Sequence, residues 1–251
     1  MFTLNIHRNI KKLLIVVSLV LFFVGFVVYS NIDQIPGNSG DFLVYRLLRS
    51  LSSFVFLMLI VIFQKNAVSK PLLLFILLYT LSSFLTVWYE NNILATLSMG
   101  LNALSFLILS FYLFFKIKNI KIDFFVISSF ILIIIILSYL GYQFADSFKE
   151  HTLSGLHYVF IVSSVVFIVV NTFLGIIYNH KYNTKNSLIF MGFQITLLFA
   201  EVFRGIAYYT INDEYIVIHI SRGLLIMSMA LFSFYALFNN DSKEGYKNCI
   251  K

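Results

Sequence analysis

Residues 124–142 read FFVISSFILIIIILSYLGY, a stretch of nineteen consecutive residues without a charged side chain. As an α-helix this stretch is about 28 Å long, because each helical residue adds about 1.5 Å, and the hydrocarbon core of a bilayer is about 30 Å thick. A helix that is apolar on every side has no polar face to turn towards water. The stretch therefore predicts a transmembrane helix.

The rest of the chain has the same character. Of its 251 residues, 60% are hydrophobic and 12% are charged, whereas soluble domains contain about 25% charged residues. Seven further apolar runs are long enough to cross a bilayer. The eight predicted transmembrane helices are residues 13–30, 43–63, 71–89, 93–115, 124–142, 153–178, 187–209 and 216–238. We therefore expect an all-α fold, a polytopic helix bundle that forms a single membrane domain over residues 1–251.

The charged residues between the apolar runs alternate in sign along the chain. The basic set, at the two ends and in every second connection, consists of Arg8, Lys11, Lys12, Lys65, Lys70, Lys116, Lys118, Lys121, Lys181, Lys185, Lys243, Lys247 and Lys251. The other connections contain Asp33, Asp41, Glu90, Asp146, Glu150, Asp213 and Glu214, with Lys149 as their basic residue. Basic loops face the cytoplasm, so we predict eight helices in the cell membrane (inner or plasma) with both termini cytoplasmic. The net charge of +7 thus indicates topology, and we expect no nucleic-acid partner.

A second group of ionisable residues lies inside the predicted helices. Its members are Arg46 and Arg49 on the second helix, His157 on the sixth, Glu201 and Arg204 on the seventh, and His219 and Arg222 on the eighth. Given the alternating helix directions, all of them are predicted to lie within roughly 5–12 Å of the outer membrane boundary. A charged side chain in the bilayer interior costs on the order of 2.5–3.5 kcal/mol. Such residues therefore point to a binding site or to specific ion pairs.

The charge of this group predicts what it binds. Four arginines against one glutamate leave a positive excess, which favours a phosphate, a carboxylate or the head group of an anionic lipid. The predicted ligand-binding residues, in a pocket open to the outer leaflet, are Arg49, Glu201, Arg204, His219 and Arg222. Arg46, nearer the boundary, is predicted to be an interfacial anchor. Polar residues deeper in the helices, which would either line the floor of this pocket or form interhelical hydrogen bonds, are Asn102, Ser105, Gln194 and Thr196.

Two alternatives use the same residues. In the first, the pocket belongs to an enzyme in which Glu201, His219 or His157 activates water. In the second, the protein has a structural or assembly role, and ion pairs between Glu201 and an arginine lock the helices together. Two histidines within helices and the single cysteine, Cys249, are too few for a metal site. We accordingly expect no metal and no cofactor, and the oligomeric state is left open.

Two short motifs resemble the YhhN or lysoplasmalogenase-like family of eight-helix membrane proteins. The segment 69–74, SKPLLL, is similar to the Lys-Pro-Leu start of an early helix in that family, and the segment 99–106, MGLNALSF, is similar to its Gly-rich fourth helix. The segment 161–209 has a spacing similar to that of the family's last helices. The resemblance implies an eight-helix fold and hydrolysis of the vinyl-ether bond of lysoplasmalogens by membrane acidic residues. Glu90 and Asn171 differ from the family pattern at its acidic positions, so no catalytic residue is transferred.

Overall fold

The computed structural model describes residues 2–32, 42–64, 68–89, 91–118, 124–146, 149, 152–209 and 215–238. Within these ranges the chain is helical and contains no strand, which confirms the all-α prediction. The helices are α1 (Phe2–Ile32), α2 (Phe42–Gln64), α3 (Lys70–Leu85), α4 (Asn92–Ile117), α5 (Phe124–Asp146), α6 (Gly155–Tyr182), α7 (Lys185–Tyr209) and α8 (Tyr215–Phe238), and a short 3-10 helix follows α3 at Thr86–Trp88.

Seven of these helices are long and apolar enough to cross a membrane, so the chain is a multi-pass membrane protein. In α5 the apolar segment found among the described residues is Ile135–Phe144, and an eighth crossing by this helix stays a prediction. The largest boundary difference is in α1, which begins at Phe2 although its apolar run begins at residue 13. An apolar run marks the part of a helix that lies in lipid, and the helical backbone can continue beyond it into the polar interface.

Close contacts between the helices define two compact units. Unit 1 consists of Met1–Lys70 and Thr184–Lys251 and contains α1, α2, α7 and α8. Unit 2 consists of Pro71–Asn183 and contains α3 (apart from its first residue), α4, α5 and α6. Unit 2 is thus one continuous piece of chain, whereas unit 1 is assembled from both ends of the sequence.

In unit 1, α8 is the central helix, since it packs against α1, α2 and α7. The contact between α7 and α8 includes two pairs of aromatic rings. The centroids of Phe190 and Tyr235 are 4.5 Å apart, and those of Phe193 and Phe232 are 5.0 Å apart. All four rings are fully buried. Because the residue number rises along α7 as it falls along α8, the two helices are antiparallel.

In unit 2, α4 packs against α3 through paired serines. The hydroxyl of Ser82 donates to the carbonyl of Ser98, and the hydroxyl of Ser98 donates to the carbonyl of Ser82, both at 2.9 Å. Further along the pair, the rings of Phe75 and Phe106 lie 6.4 Å apart. Small polar side chains of this kind allow close helix packing in a membrane, and the two contacts show that α3 and α4 are antiparallel.

The α4–α6 pair runs in the same direction. The amide nitrogen of Asn171 donates to the carbonyl of Phe106 at 2.9 Å, and ten residues later Lys181 donates to the carbonyl of Lys116 at 2.7 Å. Residue numbers therefore rise together along both helices. If successive helices cross a membrane in alternating directions, α4 and α6 must be parallel, and α3 and α4 must be antiparallel, as must α7 and α8. These are the relative directions described above.

Candidate functional site

The buried face of α2 carries two arginines. Arg46 and Arg49 are 8% and 5% exposed, and they lie on the same helical stripe as the buried Phe56 and Ile60. Leu51, on the opposite side, is exposed. The burial of Arg46 differs from what its predicted role as an interfacial anchor implies, because this position lies on the face of α2 that is turned towards the interior of the unit. Residues three apart on a helix are neighbours, so Arg46 lies beside Arg49.

One carboxylate lies between two arginines of this unit. An Nη atom of Arg49, on α2, is 3.9 Å from Oε1 of Glu201, on α7. Arg204, one turn further along α7, forms a direct ion pair with the other carboxylate oxygen. The side chains of Arg49 and Glu201 are 6% and 12% exposed, and that of Arg204 is 22% exposed. The structure thus brings together three of the predicted site residues from two helices.

This ion pair connects two helices that both pack on α8. Arg49 lies on α2 and Glu201 lies on α7, and their side chains approach each other to 3.9 Å. The carboxylate of Glu201 forms its closer contact with Arg204. The 3.9 Å separation between Glu201 and the Nη atom of Arg49 is longer than a hydrogen bond.

The register of α7 and α8 sets the level of Arg222. Glu201 lies eight residues after Phe193 in α7, and Leu224 lies eight residues before Phe232 in α8. Since the two helices are antiparallel, Glu201 and Leu224 lie at the same level. Arg222 is two residues from Leu224, about 3 Å along the helix axis. It therefore lies at the depth of the Arg49–Glu201–Arg204 group.

The two predicted site residues on α8 differ in burial. Arg222 is 5% exposed. His219, nearly one turn closer to the start of α8, is partly exposed. The basic residues of α2, α7 and α8 thus include three buried arginines and two residues, Arg204 and His219, that retain some exposure.

The serine hydroxyls near Arg49 donate hydrogen bonds to backbone carbonyls of their own helix. Ser52 and Ser53 donate to the carbonyl of Arg49 at 2.7 and 3.2 Å, and Ser50 donates to the carbonyl of Leu47 at 2.8 Å. With their protons used in this way, these hydroxyls present lone pairs to their surroundings. Among Arg49 and these three serines, the guanidinium group of Arg49 is therefore the side-chain donor suited to an anion.

His157 belongs to unit 2 and is buried there. The backbone N–H of Leu153 donates to its Nδ1 at 3.3 Å, and the hydroxyl of Tyr89 lies 3.1 Å from its Nε2. Since Nδ1 accepts a hydrogen bond, Nε2 carries the proton and donates to Tyr89. These contacts connect the residues that follow α3 with the start of α6. The histidine is held by two structural hydrogen bonds, and the catalytic role predicted for it as an alternative stays untested.

The four polar residues predicted as a pocket floor fall in both units. Gln194 is fully buried and lies seven residues before Glu201, on the same face of α7. The hydroxyl of Thr196 donates to the carbonyls of Gly192 and Phe193 in its own helix. Asn102 and Ser105 lie on α4, in unit 2. Gln194 is thus the member of the predicted floor that shares the face of Glu201.

Unit 2 has an apolar groove between α4 and α6. Its volume is about 430 Å³, and its lining includes Gly100, Leu104, Phe160 and Phe167. The lining residues bear no charge, so this groove contributes nothing to the recognition of an anion. Over the described part of the chain, no three histidine, cysteine or acidic residues are grouped so that they could hold a metal ion.

Fold and composition together define the class, a multi-pass α-helical membrane protein. No family model matches the chain, and no curated protein or solved structure shows significant similarity to it. The resemblance to the lysoplasmalogenase-like family therefore stays a prediction. Any functional conclusion has to come from the residues of the site itself.

Proposed function

We propose that the protein binds the anionic head group of a membrane lipid through an arginine cluster in unit 1, formed by Arg46, Arg49, Arg204 and Arg222 around Glu201. The observation that carries this proposal is the convergence of Arg49 and Arg204 on one carboxylate at the depth of Arg222. Three of the four arginines, Arg46, Arg49 and Arg222, are buried. Water screens charges little at such positions, so guanidinium groups there attract an anion strongly.

A lipid head group suits this position. The cluster lies on apolar helices, and it is predicted within roughly 5–12 Å of the outer membrane boundary, a depth from which long arginine side chains can reach a lipid head group. Guanidinium groups form two parallel hydrogen bonds with a phosphate, which a lysine ammonium does not do. The positive-inside pattern supports placing both termini in the cytoplasm, and with them the cluster in the outer half of the bilayer.

Binding can be tested with the purified protein in detergent, incubated with equal amounts of dioleoyl phosphatidylglycerol and dioleoyl phosphatidylcholine. Native mass spectrometry should show that the anionic lipid is retained in preference to the zwitterionic one. The double variant Arg49→Gln, Arg222→Gln should lose this preference by at least about tenfold, because each hydrogen bond to a charged group contributes about 1.5–3 kcal/mol.

The matched control is Lys118→Gln, which removes a basic group that is exposed beyond the end of α4 and should leave the preference unchanged. If the double variant does not fold, the single Arg222→Gln variant serves in its place. Equal retention of phosphatidylglycerol by wild type and variant would reject the binding proposal.

The proposed orientation has its own test, because Cys249 is the single cysteine of the chain. In intact cells, a thiol reagent that does not cross membranes should leave Cys249 unlabelled, and it should label this residue once the membrane is opened. For comparison, Lys149→Cys in a Cys249→Ser background should react in intact cells. Labelling of Cys249 from outside would invert the topology and place the cluster in the inner leaflet.

A structural role is the second candidate, and the Arg49–Glu201–Arg204 ion pairs favour it. They connect α2 with α7, two helices that both pack on α8. In that case, substitutions in the cluster lower thermal stability while no lipid preference exists in the wild-type protein. The lipid-retention experiment separates this candidate from the first.

A further inference from the structure

We propose that the apolar groove of unit 2 holds one unbranched hydrocarbon chain of a membrane lipid, and that the shape of the groove disfavours methyl-branched chains. The groove lies between α4 and α6 and contains no residue of the arginine cluster. This inference therefore goes beyond the proposed function and does not depend on anion binding. It begins from the position, the volume and the lining of the groove.

The groove is formed by segments of two helices that are long and apolar enough to cross a membrane. Its lining comes from residues 97–107 of α4 and 160–167 of α6. These residues are at least five positions from the ends of their helices, which is about 7 Å or more along the helix axis. Leu97 and Leu104 are exposed, so the groove is open towards the lipid around the helices.

The dimensions of the groove match a single chain. Because α4 and α6 are parallel, the groove follows their axes, and residues 97–107 advance by about 15 Å along α4. A volume of about 430 Å³ over this length gives a mean cross-section of about 29 Å². A helix about 10 Å across has a cross-section of about 80 Å² and does not fit inside. A methylene group is close in size to a water molecule, which occupies about 30 Å³, so the groove has room for about fourteen methylene groups.

The lining offers no free hydrogen-bond donor. Its one hydroxyl, on Ser163, donates to the carbonyl of Val159 in the same helix at 2.7 Å. The other lining residues are leucine, phenylalanine, alanine and glycine. A polar ligand would lose its hydrogen bonds with water here without replacement. The uncharged lining therefore matches an uncharged, apolar occupant.

Gly100 determines where the ring of Phe160 lies in this lining. A β-carbon at position 100 would come within 3.1 Å of the ring. The ring therefore packs directly against α4, in the place that a larger side chain at position 100 would take. Any substitution of Gly100 would displace Phe160, so a variant that fills the groove is better made at Leu104.

Selectivity for a chain has to come from its shape. Lipid chains are as apolar as leucine side chains, so a chain that moves from the bilayer into the groove gains little from the hydrophobic effect. The remaining attraction is dispersion, and a gap of about 0.5–1 Å already forfeits a quarter or more of it. An unbranched chain can contact the lining along its length, whereas methyl branches hold a chain away from it.

The experiment uses the full-length protein in nanodiscs of diphytanoyl phosphatidylcholine, a lipid with methyl-branched chains. The probe is a trace of phosphatidylcholine with a photoactivatable diazirine on an unbranched palmitoyl chain. After illumination, peptide mass spectrometry should find residues 97–107 and 160–167 labelled about tenfold more than the exposed leucines of α3, which are Leu74, Leu77 and Leu81. In nanodiscs of dimyristoyl phosphatidylcholine, whose unbranched chains compete for the groove, this excess should disappear.

A matched pair of variants tests the location. Leu104→Trp places a larger side chain in the groove and should reduce its labelling to the level of α3. Leu81→Trp makes the same change outside the lining, at a leucine of nearly equal exposure (43% against 44%), and should leave the excess unchanged. If Leu104→Trp does not fold, Ser163→Leu fills the groove from the α6 side instead.

The contrary outcomes are distinct. Equal labelling of the groove and of α3 in the branched lipid would reject the proposal, and an excess that survives both groove-filling variants would reject its location. If the groove is unlabelled and native mass spectrometry shows a dimer that Leu104→Trp dissociates, a second copy of the protein covers the groove and the proposal is overturned. All lipids in this experiment share one zwitterionic head group, so its failure leaves the proposed anion binding by unit 1 unaffected.

Discussion

Replacement of Glu201 by glutamine is expected to lower the free energy of unfolding by about 3 kcal/mol. The substitution keeps the shape of the side chain and removes the negative charge between Arg49 and Arg204. Both guanidinium groups then remain in a largely buried position next to a neutral amide. Denaturant titration in detergent micelles, followed by circular dichroism of the helices, measures the change.

A double-mutant cycle tests the cause of this loss. Arg49→Gln introduced into the Glu201→Gln variant should recover part of the stability, because the pair of amides leaves one buried charge fewer. The control is Glu150→Gln, an acid-to-amide change in the predicted connection between α5 and α6, for which a change within about 0.5 kcal/mol is expected. If Glu201→Gln behaves like this control, the carboxylate does not hold α2 and α7 together.

The second large effect is expected for Phe193→Ala, with a loss of about 3 kcal/mol in the free energy of unfolding. Phe193 is fully buried, and its ring lies 5.0 Å from that of Phe232 and 5.6 Å from that of Phe190. Truncation leaves a cavity in the contact that aligns α7 with α8. The same titration in micelles provides the measurement.

Phe199→Ala is the matched control, because Phe199 lies on the same helix and is 49% exposed. About half of this residue is already exposed in the folded protein, so removal of its ring should leave no buried cavity and should have a small effect. Loss of lipid preference in Phe193→Ala, without any substitution in the arginine cluster, would further link the α7–α8 register to the site. Equal destabilisation by the two substitutions would contradict the packing argument.

Much of the fold follows from the sequence, because lipid allows few alternatives to a helix with satisfied backbone hydrogen bonds. Apolar runs located the helices, and the boundaries differ mainly where polar residues continue a helix beyond the lipid. The end of α3 before Thr86 is a feature that the apolar runs do not predict. The hydroxyl of Thr86 donates to the carbonyl of Ser83 at 2.6 Å, where the α-helix gives way to a 3-10 turn.

The site was predictable only in part. The three-residue spacing of Glu201 and Arg204 indicates their ion pair, since both residues are on one helix. The contact with Arg49 depends on how α2 and α7 pack, which spacing along the chain does not contain. Arg46 was assigned by depth alone, although the stripe that continues through Phe56 to Ile60 marks it as facing inward. The stripe becomes visible only in the structure, because most residues of α2 are apolar and their sequence does not distinguish the buried face from the exposed one.

The division of unit 1 between the two ends of the chain determines when the site can be completed. At about 5–20 residues per second, ribosomal synthesis needs on the order of 10 s to make the intervening unit 2. Throughout this interval Arg46 and Arg49 belong to a chain that does not yet contain Glu201. The central helix α8 follows α7 in the chain, so α1 and α2 acquire this packing partner only after unit 2 and α7 have been synthesised.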